Sequence, residues 1–391
     1  MLKCATVHTY EIDNADDAFE EIKFQLDEKI TLLEHSVGII MCHPEFIASG
    51  VLKPICEKLP FELAGVTTSS QTVSGEAGEL ILTIFVMTSD DVSFRTGVTG
   101  GLEEDIDAVT KAAFDKATQG VDESPKLALI FPPFIIKNAG DIYVNAWRKI
   151  IPKTPIFGTI AIDDTLTFEG SETIYNGESL KTAMPFILCY GNINPRFFVG
   201  TFPEDKVMPY KGEITKSSGP LVHEINNMNA CQYFENIGFV SNGVLAENYI
   251  FVPFVIHQKN HADFDGIPVI RGLNSFREDG TAVFIGDIDE GSTFTMLTCG
   301  VEDVLTTTRQ KVERLNELKD VNGILLFSCI ARRMMIMCVN PLRELEIARD
   351  TISPDIPFMM GYACGEICPI LIKDGVPYNR FHNYSLVILV I

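Results

Sequence analysis

The chain has 391 residues, 46% hydrophobic and 21% charged, the composition of a globular protein and not of a disordered or fibrous one. Its 31 Lys and Arg stand against 53 Asp and Glu, a net charge of −22, and so acidic a surface repels phosphate backbones and anionic bilayers, which excludes nucleic-acid and membrane-surface binding from the expected functions. No basic segment leads into an apolar one at the N-terminus and the longest apolar runs, such as Leu80–Met87 and Leu386–Ile391, are strand-sized, so a cytoplasmic location is expected, in keeping with ten cysteines and no Cys-x-x-Cys pair.

In chain order, Phe19, Ile22, Leu26, Ile30 and Leu33 recur every three or four residues and predict an amphipathic helix over 14–34, capped by Asp13 or Asn14. Val37–Cys42 is an apolar, strand-like run, 47–59 is compatible with a helix, and LAGVTTS at 63–69 closes the set. The same order then returns. Ile106, Val109, Ala113, Phe114 and Ala117 form a helical stripe, Leu127–Phe131 a strand, Asp141–Ile150 a helix, and PIFGTI at 155–160 a strand with a glycine near its end. A third copy has Val304, Thr308, Val312 and Leu315 on a helix, a strand over 323–328, a helix over Pro341–Asp350 and PFMMGY at 357–362. From helix start to glycine the copies span 14–65, 101–158 and 302–361, close enough in length to be one architecture. Each is followed by a further extended run, at 80–87, 183–190 and 385–391, with Asn176-Gly177 and Lys373-Asp374-Gly375 as turn signals.

Near-continuous apolar strands separated by helices predict covered sheets. The expected fold is therefore α/β: a two-domain protein built from repeated helix-strand-helix-strand units with mixed sheets and hairpin returns. The segment 196–218, rich in Pro, Gly and Lys, reads as a junction. It places an N-terminal domain of two units at 1–211 and a C-terminal domain, the third unit plus a β-rich insert, at 212–391.

Ligands in parallel α/β sheets collect beyond the carboxyl ends of strands. Four short loops stand there: VTTSSQ at 66–71, TIAIDD at 159–164, CIARR at 329–333 and YACGE at 362–366. Arg332 and Arg333 directly follow an apolar strand, and Glu366 follows another. Arg332 either forks onto a carboxylate or phosphate or forms an internal pair with Glu366. His382 and Asn383, before the last strand, offer a ligand contact or a hydrogen-bonded loop pin. Cys329 and Cys364 would need His382 within reach to act as nucleophiles. No GxGxxG, GxxxxGK[ST], GxSxG or HExxH motif is present. His257 and His261 have a metal-compatible spacing only on a helix, and the preceding run reads as a strand. Asp163, Asp164, Asp287 and Asp289 are pairs of the kind any acidic surface carries.

LFSCIARR at 326–333, MGYACGEICP at 360–369 and RFHNYSLVILVI at 380–391 resemble the C-terminal domain of the FIST family, and IRGLNSF at 270–276 and DEGSTFTML at 289–297 are similar to it as well. AGVTTSSQ at 64–71 and GTIAIDD at 158–164 resemble the FIST N-terminal domain. Residues 65–71 differ from the Gly-Cys-Ser-Thr-Ala-Gly-Glu-like segment usual there, and Phe157-Gly158-Thr159 from the paired glycines of a second motif. The resemblance covers essentially the whole chain. It implies a cytoplasmic sensory module that binds a small ligand, such as an amino acid or a similar small anionic metabolite, and signals through a separate partner protein. A family alternative is a haem-binding nitric oxide sensor regulating a histidine kinase, and a cysteine-dependent enzyme is a third reading. The chain starts in the FIST region, with no F-box or fused kinase, GGDEF or methyl-accepting segment, so output is expected through another protein. No catalytic residue, metal or resident cofactor is expected, haem being the alternative. The ligand set is Thr67, Thr68, Ser69, Asp163 and Asp164 from the first half, and Arg271, Cys329, Arg332, Cys364, Gly365, Glu366, His382 and Asn383 from the second. The ligand is expected between the two domains.

Overall fold

A computed structural model describes residues 2–103, 105–135, 138–165, 167–202, 206–241, 244–245, 249–258 and 268–391. Three stretches of chain fold in the same order. The first contains β1 (Lys3–Thr9), α1 (Ala15–Lys29), β2 (His35–Cys42), α2 (Glu45–Ala48), α3 (Leu52–Lys58), β3 (Glu62–Thr67), the hairpin β4 (Gln71–Val73) and β5 (Glu76–Gly78), and β6 (Leu82–Ser89). The second contains β7 (Val92–Val98), α4 (Ile106–Ala117), β8 (Leu127–Ile130), α5 (Asp141–Ile150), β9 (Ile156–Thr159), the hairpin β10 (Thr173–Tyr175) and β11 (Glu178–Leu180), and β12 (Pro185–Gly191).

The third opens with β13 (Arg196–Gly200) and is then interrupted by an insert. The insert holds β14 (Val207–Ser218), β15 (Leu221–Ile225), β16 (Met228–Asn229), α6 (Ala230–Asn236), β17 (Val240–Ser241), β18 (Val244–Leu245), β19 (Phe254–His257), β20 (Val269–Arg271), β21 (Leu273–Phe276), β22 (Ala282–Phe284) and β23 (Thr293–Leu297). The unit resumes with α7 (Val301–Leu315), β24 (Ile324–Cys329), α8 (Ile330–Ile336), α9 (Arg343–Thr351), β25 (Phe358–Ala363), the hairpin β26 (Glu366–Lys373) and β27 (Val376–His382), and β28 (Leu386–Val390).

Local chemistry sets these boundaries. Asn14 caps α1, its side chain accepting from the amides of Asp16 and Asp17, and Ala18, Ile22 and Leu26 form the buried stripe. The turns of two hairpins place Asn176 and Gly177, and Asp374 and Gly375, at positive φ, the conformation a two-residue return requires.

In each unit the two central strands are parallel and the return strand is antiparallel to the first of them: β2 with β3 and β6, β8 with β9 and β12, β24 with β25 and β28. The resulting four-strand sets run β1-β6-β2-β3, β7-β12-β8-β9 and β13-β28-β24-β25. Each set is completed to six strands by a hairpin from another unit. β10–β11 extends β3, β26–β27 extends β9, and β4–β5 extends β25. The register repeats: Gly65 faces Ile174, Gly158 faces Ile367 and Gly361 faces Gln71. The exchange is cyclic, and each hairpin covers an otherwise open sheet edge.

All three sheets share one core, in which Ile39, Phe85, Leu129, Phe157, Phe327 and Leu389 meet. The Phe157 and Phe327 rings stack at 5.2 Å between centroids. Their other faces bury against α1–α3, α4–α5 and α7–α9 respectively. Covering on both faces explains why the strands read as unbroken apolar runs. The insert is an antiparallel sheet ordered β20-β19-β23-β14-β15-β22-β21, packed around Phe234, Phe254 and Phe294.

The α/β fold of repeated units, mixed sheets and hairpin returns is thus as expected. Each unit also opens with a strand, β1, β7 or β13, that the helix-first reading of the repeat omitted. Residues 329–333, expected as a loop, instead lead into α8, whose Ala331, Met335 and Ile336 supply a buried face. Lys211, where the domain junction was placed, lies inside β14, opposite Thr295 of β23.

The glycine near the end of each third strand has a steric cause. A Cβ on Gly65 would overlap the carbonyl oxygen of Ile40, and one on Gly158 that of Ile130, whereas one on Gly361 would meet only the terminal atoms of Met41. Gly65→Ala and Gly158→Ala are therefore expected to cost about 2–4 kcal/mol in urea unfolding, and Gly361→Ala clearly less, because a flexible side chain yields where a strand backbone does not.

Candidate functional site

The ends of β3, β9 and β25 are tied to one another. Ile162 N donates to Thr67 O (3.1 Å), Ile160 N to Gly365 O (3.2 Å), Cys364 N to Ile160 O (3.2 Å) and Tyr362 N to Ser70 O (3.3 Å). Thr68 Oγ1 donates to Tyr362 O at 2.8 Å. Thr67 Oγ1 exchanges hydrogen bonds with the backbone of Glu172. Thr67 and Thr68 therefore spend their hydroxyls on the junction itself. Ser69 and Ser70 are buried with hydroxyls that find no partner.

Asp163 organises its own loop, accepting from Thr165 N (2.8 Å), Thr165 Oγ1 (2.7 Å) and Gly170 N (2.6 Å). Asp164 is half exposed and faces His43 Nε2 at 3.4 Å. His43, just after β2, was not singled out by the sequence because nothing in its surroundings marks a partner as far along the chain as Asp164.

Beside these strand ends lies a cavity of about 140 Å³. Cys329, Ile330, Ala331 and Met334 form one wall, Cys364, Gly365, Asn383 and Tyr384 another, with Phe168 from the second unit and Tyr249, Ile250, Leu273, Asn274 and Ile285 from the insert closing it. Of the predicted ligand residues it unites Cys329, Cys364, Gly365 and Asn383. Thr67, Thr68, Ser69, Asp163, Asp164, Arg271, Arg332, Glu366 and His382 are not among those lining it. Phe168 alone represents the first 211 residues, so this cavity lies at the seam between the insert and the third unit. Phe168 (φ 58°) and Tyr384 (φ 57°) both hold left-handed backbone, an unfavourable conformation for aromatic residues that clusters at binding sites.

Asn383 is buried. Its Nδ2 donates to His382 O at 3.1 Å, and its Oδ1 has no partner. Glu366, fully buried, accepts from Ser385 Oγ through Oε2 at 2.7 Å, while Oε1 has no partner. Burial pushes its carboxyl well above the usual range and so favours the neutral acid. Burial also pushes the Cys364 thiol up to about 12 and that of Cys329 well above its ordinary value.

His382 is buried with Nε2 3.0 Å from Cys368 O, which fixes that nitrogen as the donor. Burial above all lowers it to about 4. Among the described residues no histidine hydrogen-bonds to either cavity thiol, and the ionisable side chain beside Cys329 is the Glu366 carboxyl, itself pushed toward its neutral form by burial.

Arg332 does not meet Glu366. Carried by α8, it packs toward α7 and α9, where Nη2 pairs with Glu344 Oε1 at 2.9 Å and donates to Thr308 Oγ1 at 2.8 Å. Ser328 Oγ holds the other Glu344 oxygen at 2.9 Å. Arg271 is likewise committed. It pairs with Asp141 at 3.2 Å and donates to Phe381 O (3.0 Å) and Asp287 O (3.2 Å), fastening the insert to α5 and β27. In the same contact burial, with Asp141 alongside, pushes Asp287 up to about 6.

Haem does not fit this cavity. A space of about 140 Å³ is benzene-sized and far too small for a porphyrin, and among the described residues its lining has no imidazole. Among the described residues no group of three His, Cys, Asp or Glu side chains is placed to hold a metal ion, and His261 lies outside them. No helix among them is long and apolar enough to cross a membrane.

The fold is that of a two-domain α/β protein, with a small cavity at the seam between the insert and the third unit. The FIST N domain matches residues 36–228 and the FIST C domain residues 230–369, nearly the whole chain between them, and the chain belongs to the FIST family, whose domains are associated with sensing in signal transduction. Comparison with curated proteins finds no match.

Sequence reasoning missed Phe168, Tyr249 and Tyr384. The first two come from segments with no strand-end signal, and Tyr384 stood unmarked beside Asn383.

Two stability measurements check these buried groups. Unfolded Glu366 loses its proton above the ordinary carboxylate range, near 4.5, while the folded protein keeps it, so this group's contribution to stability is lost as pH rises from there. Glu366→Gln is expected to gain on wild type in urea midpoint between pH 4.5 and 7. Glu344→Ala strands the Arg332 charge and is expected to cost about 3–5 kcal/mol, with much of the loss recovered when Arg332→Met and Glu344→Leu are combined.

Proposed function

We propose that this chain is a small-molecule sensory module, that the cavity beside Cys329 and Cys364 is its ligand site, and that its state is read by a separate partner protein in the cytoplasm, a histidine kinase being one such reader. The observation that carries the reading is the composition of the walls. The insert provides five lining residues and the strand ends most of the rest, so an occupant touches both bodies at once. A ligand shifts a conformational equilibrium only through contacts that differ between the two states. Contacts across a seam have that property, since they change whenever the insert moves against the units. The unpartnered Oδ1 of Asn383 and the left-handed Phe168 and Tyr384 mark the same spot.

Native mass spectrometry of the purified protein tests the reading. A noncovalently held molecule of low mass is expected. Ala331→Leu, which fills the cavity from α8, should weaken its binding at least tenfold, about 1.4 kcal/mol, with the thermal midpoint little changed. Unchanged binding in Ala331→Leu would put the ligand elsewhere, and a Soret band in the pure protein would favour the haem sensor instead.

A further inference from the structure

We infer that the contact fastening the insert to the second and third units is a pH-sensitive latch, in which Asp141, Arg271 and Asp287 close the seam with one proton bound in mild acid and release that proton when the insert lifts away. The inference concerns how the insert is attached and does not depend on the cavity being a ligand site.

The latch joins parts of the chain that are far apart in sequence. Asp141 stands at the start of α5 and is buried, and Arg271 ends β20 with no exposed surface. Arg271 Nη2 lies 3.2 Å from each carboxylate oxygen of Asp141. Its Nη1 donates to Phe381 O of β27 at 3.0 Å and its Nε to Asp287 O at 3.2 Å. Asp287 N closes the ring by donating to Asp141 Oδ2 at 2.8 Å. A Cβ on Gly286 would overlap the Arg271 guanidinium, so the backbone before Asp287 passes directly over that side chain. One buried guanidinium therefore holds the insert, α5 and β27 together, and the insert cannot lift without breaking all of these bonds at once.

The charges in this contact do not balance. Among the described residues, the charged groups facing the Asp287 carboxyl are Asp141 from α5, Arg271 from β20, Arg380 from β27 and Asp289 from its own loop. The β14–β15 turn faces its Oδ1 through Gly219, and β19 offers the neutral amide of Gln258, which donates to Asp287 O at 3.4 Å. With every group ionised, the carboxylates outnumber the guanidinium groups, and a surplus charge shut away from water is costly. A proton on Asp287 restores the balance. Burial first, and then Asp141, push this carboxyl from 3.8 up to about 6, against the opposing pull of Arg271 and Arg380. Once the insert lifts, Asp287 meets water and returns to its ordinary value. The closed form thus binds the proton more strongly than the open form. Its advantage is complete below the ordinary carboxylate value and is lost as pH rises through about 6. The latch holds in mild acid and loosens toward neutrality, with the opening constant rising about tenfold between pH 5 and pH 7.

Hydrogen exchange of the full chain, followed by mass spectrometry and corrected for the intrinsic rate at each pH, reads that opening. Peptides covering 268–289 and 141–150 are expected to show the tenfold rise in wild type, and peptides from α1 to show none. Asp287→Asn, which keeps the shape of the neutral acid, should hold the seam closed and flatten the rise. If that variant fails to fold, Asp289→Asn replaces it: removing a facing carboxylate should move the midpoint of the rise to lower pH. A wild-type seam whose opening ignores pH overturns the latch. So does an equal rise in α1, which would make the effect global, and so does a variant that keeps the wild-type profile. None of these outcomes bears on the ligand binding measured with Ala331→Leu, so the two readings fail separately.

Discussion

A parallel strand pair with one open edge is incomplete, and the remedy chosen here organises everything else. β3, β9 and β25 each present unpaired backbone groups on the side away from their parallel partner, and each is completed by a hairpin that belongs to a different unit. The exchange brings the three strand ends together, and the hydrogen bonds among Thr67, Ile160, Ile162, Cys364 and Gly365 follow from that convergence. The same exchange puts β26 and β27 where Glu366, His382 and Asn383 become buried, and it leaves the Cys364-Gly365 turn as part of a cavity wall.

Charge is then distributed by burial rather than by ligand demand. The arginines that look like anion hooks in the sequence are consumed in making the architecture rigid: Arg332 locks α7, α8 and α9 around Glu344, and Arg271 fastens the insert. At the seam that remains, burial raises the thiols of Cys329 and Cys364 and the phenol of Tyr384.

Much of this was legible beforehand, for physical reasons. Helical stripes are local, so α5 was placed at Asp141–Ile150 to the residue, and the glycine that recurs near the end of each third strand marked the repeat, two of the three, Gly65 and Gly158, lying against a neighbouring strand's carbonyl. Strand ends gather ligand groups, and four of the thirteen proposed residues do line the cavity. Pairings across long sequence separations left no local trace. Gln71 meeting Gly361 depends on the whole cycle closing, and no pattern near either residue announces it. Arg332 misled for a related reason: a charge directly after an apolar strand looks exposed until a helix begins at Ile330 and turns it inward. The insert was recognised as β-rich, yet which of its residues would face the strand ends could not be read from composition.

The cyclic exchange also changes what a break in the chain would mean. A nick between β12 and β13 severs the covalent link to the third unit, yet β4–β5 would still lie in the third sheet and β26–β27 in the second. Two reciprocal strand pairings would still span the break, so the pieces are expected to associate as the halves of a split protein. Topologically the molecule is a swapped trimer written on a single strand of peptide, and its two family domains are partners in one fold before they are neighbours in one sequence.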